Sequence, residues 1–320
     1  MTNRSLHARP SDYHFIGIGG IGMSALAQIL VGQGHQVSGS DLSENSCTRR
    51  LQGMGAKIYQ GQAGANLTGS PCVVYSTAIK VDNPEFAAAR ERNLKIWHRS
   101  DVLAHLANSQ PSIGVAGTHG KTTTSSAMAY TLLKAGLDPT AIVGGEVDAW
   151  QGNARCGKGE YLVAEVDESD GSLVKLHPTV GVITNIELDH PDHFESLAQV
   201  IDVFRQYARQ SEIVVASLDC PTIAAHIPVD IGYSIAGHPD ARIRAENVRY
   251  LGHGTMADIW EGDRCLGELR LSLLGAHNLS NALAVVAVGR HLDVEFEAIA
   301  AGLAAFGGAR RRFEVRGQVN

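Results

Sequence analysis

The sequence predicts an α/β protein in two parts, each a largely parallel sheet dressed with helices. Three observations carry this. A strand, a glycine-rich loop and a helix open the chain in "YHFIGIGGIGMSALAQILVGQGH", and the same order restarts in "SIGVAGTHGKTTTSSAMAYTLLKAG". The runs "YLVAEV", "VGVITNI" and "EIVVAS" are nearly continuous in apolar residues, as central parallel strands must be when both faces are covered. Between 241 and 275 the texture changes to alternating residues joined by turns, in "RIRAENVRYL", "GTMADIWEG" and "CLGELRLSLLG", which reads as an antiparallel edge.

Taken in order, "YHFIGI" is a β-prone run ending in glycines, and "GMSALAQILVGQGH" has helical spacing and stops at Gly34. "QVSGSD" is a short second strand, and "AKIYQG", "CVVYSTAI" and "LKIWHRS" are further strands, with a helix in "NPEFAAARERN". The polar, proline-containing "HLANSQPS" at 105–112 reads as a linker. It divides the chain into a Rossmann-like domain, 1–107, and a nucleotide-binding α/β domain of P-loop type, 108–320. In the second domain a helix ends at Gly136, and "NLSNALAVVAVGRHL" and "EFEAIAAGLAAF" form two late helices. The final "RRRFEVRGQVN" reads as a strand with no domain after it.

Composition narrows the class. The 320 residues are enough for two domains with their own cores, and 44% hydrophobic with 19% charged is the balance of a globular protein in water. A net charge of −6 gives no electrostatic footprint for nucleic acid, and "RRR" at 310–312 is a local cluster. The five cysteines, 47, 72, 156, 220 and 265, are scattered without metal spacing and read as reduced thiols in a cytoplasmic protein. The first ten residues have no apolar signal region, and no apolar run reaches the roughly 18 residues of a membrane helix.

The loop at 114–124, "GVAGTHGKTTT", has the parts of a phosphate cradle. Gly117 and Gly120 allow successive N–H groups to face phosphate oxygens, and the helix opening near Lys121 adds its positive end. Lys121 is placed to reach the β- and γ-phosphates and the Thr122 hydroxyl to bind Mg²⁺. The spacing departs from G-x-x-x-x-G-K-[ST], because Val115 stands where the first glycine belongs and Gly114 comes one residue early. The loop at 17–22 carries Gly17, Gly19 and Gly22 in G-x-G-x-x-G spacing, with Asp41 ending the next strand at a ribose-contact distance. One nucleotide needs one such loop, so two loops predict two phosphorylated ligands.

Acidic and imidazole groups gather after the buried strands. Glu165 of "VAEVDESDGS" sits at a strand's carboxyl end, where ligand sites of α/β sheets lie, while Glu168 and Asp170 read as surface carboxylates. In "TNIELDHPDHF" His190 is the candidate metal ligand, His193 competes with it, and Asp189 could orient either. A Glu and a His at neighbouring strand ends beside the loop threonine make a Mg²⁺ site of Thr122, Glu165 and His190. Histidine is an unusual ligand for that ion, so one site is expected to be only partly oxygen-ligated.

In family order, "GTHGKTTT", "EVDESD", "TNIELDH", "GAHNLSNALA" and "RRFE" resemble the Mur ligases, a family of ATP-dependent amide-forming enzymes. "HFIGIGGIGMSALA" and "VSGSD" resemble the branch that takes UDP-N-acetylmuramate. The resemblance implies that L-alanine is joined to the lactyl carboxylate of that sugar in peptidoglycan precursor synthesis, through an acyl phosphate, as ATP becomes ADP and phosphate. It implies two Mg²⁺ ions, with Mn²⁺ able to substitute. Carried over by position, Lys121, Glu165 and His190 are catalytic. ATP would be held by Gly117, Thr118, His119, Gly120, Lys121, Thr122 and Thr123, with His277, Asn278, Asn281 and Arg312 on the adenine and nucleotide side. The UDP-sugar would be held by Gly17, Gly19, Gly20, Gly22 and Met23, by Ser40 and Asp41, and by Ser76, Thr77 and Ala78.

Two departures qualify the resemblance. Several relatives carry a carbamylated lysine some fifteen residues past the metal histidine, a position that falls near Arg205 here. The family also has a further domain after "RRFE", so this chain is expected to bind nucleotides but to catalyse poorly or not at all alone. The runner-up is a muropeptide-recycling ligase of the same branch, which usually reads E-Y-D rather than E-S-D. A non-catalytic UDP-sugar-binding protein is a third reading. A nicotinamide oxidoreductase leaves "GTHGKTTT" and "HNLSN" unexplained, and a GTPase would need a motif such as N-K-x-D.

Overall fold

The computed structural model describes residues 11–309 and divides the chain into two compact units between Val102 and Leu103. The expectations placed on Arg312 and on the terminal strand therefore lie outside the described residues.

The first unit is a five-stranded sheet. Its elements are β1 (Asp12–Ile16), α1 (Ile21–Gly32), β2 (Gln36–Asp41), α2 (Ser46–Gly53), β3 (Lys57–Gln60), β4 (Cys72–Tyr75), α3 (Pro84–Glu91) and β5 (Ile96–His98). The order is β3-β2-β1-β4-β5 and every pairing is parallel. Strand order reverses beside β1, so the glycine loop after β1 opens at the switch point of the sheet, where ligands of such folds bind. Tyr13, Phe15, Val73 and Val74 fill the core, and burial pushes the Cys72 thiol up to about 12, so it stays protonated. Helix α2 was not predicted. It buries only Thr48 and Leu51 and therefore has no apolar stripe to read; a capping box between Asn45 and Thr48 starts it instead.

Helix α4 (Arg99–Ala107) holds the point of division, so the expected linker at 105–112 shrinks: His105 to Ala107 are helical and Ser112 already belongs to β6. The second unit runs β6 (Ser112–Ala116), α5 (Lys121–Lys134), β7 (Thr140–Val147), β8 (Gly152–Arg155), β9 (Leu162–Glu165), β10 (Val180–Ile183), α6 (Leu197–Gln210), β11 (Ile213–Ser217), α7 (Pro221–His226) and β12 (Ile231–Ser234). It closes with β13 (Ile243–Leu251), β14 (Gly254–Glu261), β15 (Arg264–Leu271), α8 (Ala276–His291) and α9 (Phe296–Ala305).

These strands form one sheet in the order β15-β14-β13-β12-β11-β10-β6-β9-β7-β8. The centre is parallel and the β13–β14–β15 end is antiparallel, as the change of texture predicted. The other edge is antiparallel too, through β7 and β8, which the sequence did not announce because two glycines interrupt β7 and β8 has no apolar run. Helices α5 and α8 are buried along most of their length and cover the sheet centre. The core below β6 explains Gly114. A side chain there would collide with the hydroxyl of buried Tyr207, which donates to the Gly114 carbonyl at 2.8 Å. Gly114 is thus a packing glycine within a strand and no part of the loop between β6 and α5.

Candidate active site

The loop between β6 and α5 is shaped by two glycines with positive φ, Gly117 at +136° and Gly120 at +85°. Neither tolerates a side chain: a Cβ on Gly117 would strike Thr184 Oγ1, and one on Gly120 would lie 2.6 Å from Asn281 Oδ1. The segment after β10 grips the loop from outside. Asn185 Oδ1 accepts the His119 N–H at 2.8 Å, and Thr184 Oγ1 and Asn185 Nδ2 donate to the His119 carbonyl at 2.6 and 2.9 Å. The Glu187 N–H donates to Thr118 Oγ1 at 2.9 Å. The His119 ring itself is exposed, 3.7 Å from an equally exposed Glu187 carboxylate, a contact worth little in water.

Two charged groups meet on this loop. The first is Thr122 with Glu165. Thr122 Oγ1 lies 3.0 Å from Glu165 Oε1, while Glu165 Oε2 accepts the Gly144 N–H at 2.7 Å and the Ser125 hydroxyl at 3.3 Å. The second is Lys121 with Glu168 and His190. Lys121 Nζ donates to Glu168 Oε2 at 2.9 Å and Oε1 at 3.2 Å, and to the loop carbonyls of Gly117 and Thr118 at 2.6 and 3.2 Å. His190 Nε2 stands 3.6 Å from Glu168 Oε1. Asp167, Glu168 and His190 offer three ligand atoms all within 4.8 Å of one another.

Several expectations change here. Glu168 is no surface carboxylate: its side chain is 2% exposed. The metal set read from sequence is brought together in two parts, Thr122 with Glu165 and His190 with Glu168 and Asp167. His193 is exposed and only its backbone N–H meets His190, at the carbonyl. Asp189 accepts the backbone N–H of His190 at 2.7 Å, which helps to hold that residue at a φ of +55°, an unusual value for a side chain of its size. Burial works against the Asp167 carboxylate, but the Ser169 N–H and hydroxyl and the charges of Lys121 and His190 outweigh it and hold it below the ordinary range. Arg205 sits on α6 and bonds to Asp202 and to the His226 carbonyl.

A cavity of about 520 Å³ opens beside the loop. His119, Gly120 and Thr123 line one wall, and His277, Asn278 and Asn281 from the start of α8 line the other. Asn278 Nδ2 is tied to the Leu274 carbonyl at 2.8 Å, which fixes that wall. Sequence reasoning missed much of the remaining lining, for example Thr184, Asn185, Asp219 and Cys220. The first two stood in a quoted motif, "TNIELDH"; the last two follow β11 in a stretch with no motif.

The first unit's loop is held differently. The N–H groups of Gly17 and Ile18 donate to the Ser40 carbonyl at 2.8 and 2.9 Å, and that of Gly19 to Asp41 Oδ2 at 2.8 Å. The Ser40 hydroxyl is fully buried and donates to Glu85 Oε2 at 2.5 Å, and Met23 packs inside α1 at 4% exposure, so both face inward. Thr77 and Ala78 are exposed in the turn after β4, with Ser76 half-buried before them. The Ile79 side chain of that turn lies 3.7 Å from where a Gly17 Cβ would stand. Among the described residues no helix is long and apolar enough to cross a membrane.

Comparison with known proteins gives a consistent result. Residues 12–111 match the family described as "Mur ligase family, catalytic domain", and residues 115–289 match "Mur ligase middle domain". A UDP-N-acetylmuramate–L-alanine ligase of Synechococcus sp. strain JA-3-3Ab is 63% identical over 96% of this chain and 60% of its own length. The ligase of the same name from Nostoc punctiforme is 52% identical over 100% of this chain and 70% of its own. The chain spans 60 to 70% of the length of the curated relatives it matches. Among solved structures, the UDP-N-acetylmuramate-alanine ligase of Thermotoga maritima superposes with a TM-score of 0.85 at 29% identity, over 96% of this chain and 71% of that one. The UDP-N-acetylmuramate:L-alanyl-γ-D-glutamyl-meso-diaminopimelate ligase of Neisseria meningitides does so at 0.82 and 27%, over 95% and 100%.

Proposed function

The chain belongs to the Mur ligase family, and from that premise we propose that the protein is a cytoplasmic, ATP-dependent ligase joining L-alanine to the lactyl carboxylate of UDP-N-acetylmuramate. The observation that supports the chemistry is the loop after β6, where Lys121 bonds to the loop carbonyls and to Glu168 while the next residue, Thr122, bonds to Glu165. The choice of sugar and amino acid is supported by the names of the relatives. The first loop would hold the UDP-sugar and the second ATP.

The reaction needs charge neutralisation and alignment more than a protein nucleophile. A lactyl carboxylate oxygen attacks the γ-phosphorus and ADP leaves; the amine of L-alanine then attacks the acyl phosphate, and phosphate leaves. Among the described residues, Lys121 would supply the cation for the transferring phosphoryl group. The N–H groups that begin α5 face the same place. The carboxylates around Lys121 outnumber it, so phosphates could not join them without divalent cations; this donor set fits Mg²⁺. Thr122 and Glu165 would hold one ion and His190 a second, and the ions would neutralise charge on the phosphates. Asn278 and Asn281 would receive the adenine in the cavity.

The test is ADP release by the full-length protein with UDP-N-acetylmuramate and L-alanine. Release that requires both supports the proposal. Release with the tripeptide L-alanyl-γ-D-glutamyl-meso-diaminopimelate in place of L-alanine would move the protein to the recycling reaction, whose neighbour has a TM-score of 0.82. No turnover and no ATP binding would refute both.

A further inference from the structure

Glu168 has no role of its own in the proposed reaction, yet it is the most buried carboxylate of the site: its side chain is 2% exposed, whereas Glu165 and Asp167 are half-buried. An ammonium has three protons to donate. Those of Lys121 go to the Gly117 and Thr118 carbonyls and to Glu168, so the lysine lies folded onto its own loop. It cannot serve a phosphate without giving up some of these bonds. Glu168 is the partner with a second option, because His190 and Asp167 stand beside it with ligand atoms within 4.8 Å. A buried carboxylate stripped of its counter-ion is strongly destabilised unless another cation replaces it.

We infer that Glu168 is a positioning residue that exchanges partners: it holds Lys121 on the empty loop, releases it when a triphosphate arrives, and then shares a divalent cation with His190 and Asp167. The inference rests on the ATP reading of the second loop. It makes nucleotide and cation mutually reinforcing, since each removes what competes with the other, and such coupling is reciprocal. It also gives Glu168 a cost for nucleotide binding in the absence of metal.

Two measurements without turnover test this. In calorimetric titration of ATP in excess EDTA, Glu168→Gln should bind about fivefold or more tighter than the unaltered protein. Asp167→Asn, which removes the same charge without touching Lys121 Nζ, should gain less. In electron paramagnetic resonance titration of Mn²⁺ alone, Lys121→Met should bind the ion more tightly than the unaltered protein, because Glu168 is freed. Metal-free ATP affinity that stays level or falls in Glu168→Gln, or an equal gain in Asp167→Asn, overturns the exchange. If Glu168→Gln does not fold cooperatively, the Mn²⁺ titration decides alone, and unchanged Mn²⁺ affinity in Lys121→Met overturns the exchange. An unaltered protein that binds no ATP would instead refute the nucleotide reading beneath it.

Discussion

The two glycine loops share a sequence device and differ in almost everything around it. In the first unit, the N–H groups of Gly17, Ile18, Gly19 and Gly20 are all answered by carbonyls or by Asp41, and Asn45 Nδ2 donates to the Gly19 carbonyl at 3.2 Å. That loop is closed on itself by these bonds. In the second unit, a lysine caps the loop carbonyls and a group of carboxylates surrounds it. The difference teaches that a glycine loop alone says only that phosphate fits. The first loop is held by backbone carbonyls and one carboxylate, with no lysine upon it among the described residues, whereas the second carries a lysine ringed by carboxylates, the arrangement that the proposed phosphoryl transfer would need.

The strongest way to break this contrast is Lys121→Ala. Loss of the cation should lower product formation by about 10³-fold or more, with UDP-N-acetylmuramate affinity unchanged; near-normal kcat would contradict the assignment. Next comes the first unit's own buried pair, Glu85 and His14. Glu85 is fully buried, accepts Asn66 Nδ2 at 2.6 Å and the Ser40 hydroxyl at 2.5 Å, and lies 3.5 Å from His14 Nε2. Glu85→Ala should destabilise by about 3–5 kcal/mol in thermal denaturation, as loss of one partner strands the other. An effect on ATP binding with no loss of stability would show that Glu85 is no scaffold.

The same residue gives a pH signature. Burial pushes the Glu85 carboxyl up, but the adjacent His14 imidazole and the hydrogen bonds from Ser40 and Asn66 outweigh it, and the folded value lies below the usual 4.5. Its stabilisation is therefore complete above pH 4.5 and is lost as pH falls through the folded value. Acid unfolding of Glu85→Gln should be correspondingly shallower in that range. A smaller effect sharpens the second loop: His190→Ala should reduce metal-dependent activity by about tenfold or more, and His193→Ala should leave it nearly unaltered. The reverse order would make His193 the ligand. Smallest of all, Tyr207→Phe should cost about 1 kcal/mol, the net worth of a buried hydrogen bond, by chemical denaturation.

Much of this was legible before any coordinates. Both strand–loop–helix openings and the antiparallel β13–β15 end came from periodicity and glycine placement. What escaped was held by other means. Helix α2 rests on a capping box, and β8 contains no apolar run. Glu168 looked like a surface residue because its neighbours Asp167, Ser169 and Asp170 are polar; its burial comes from Lys121 and His190, distant in sequence and adjacent only once β9 and β10 flank β6. Gly114 was weighed as a displaced loop glycine, and only Tyr207 on α6 explains it. Periodicity reports burial along one element and is silent on what lies across the sheet.

The central claim is a division of labour between the loops. It is tested most directly by calorimetric titration of the protein and of Lys121→Ala with UDP-N-acetylmuramate and with ATP, using NAD as a control. The account predicts that the unaltered protein binds both nucleotides and not NAD, and that the substitution removes ATP binding alone. Binding of NAD at the first loop, or loss of both ligands from the one substitution, would contradict it.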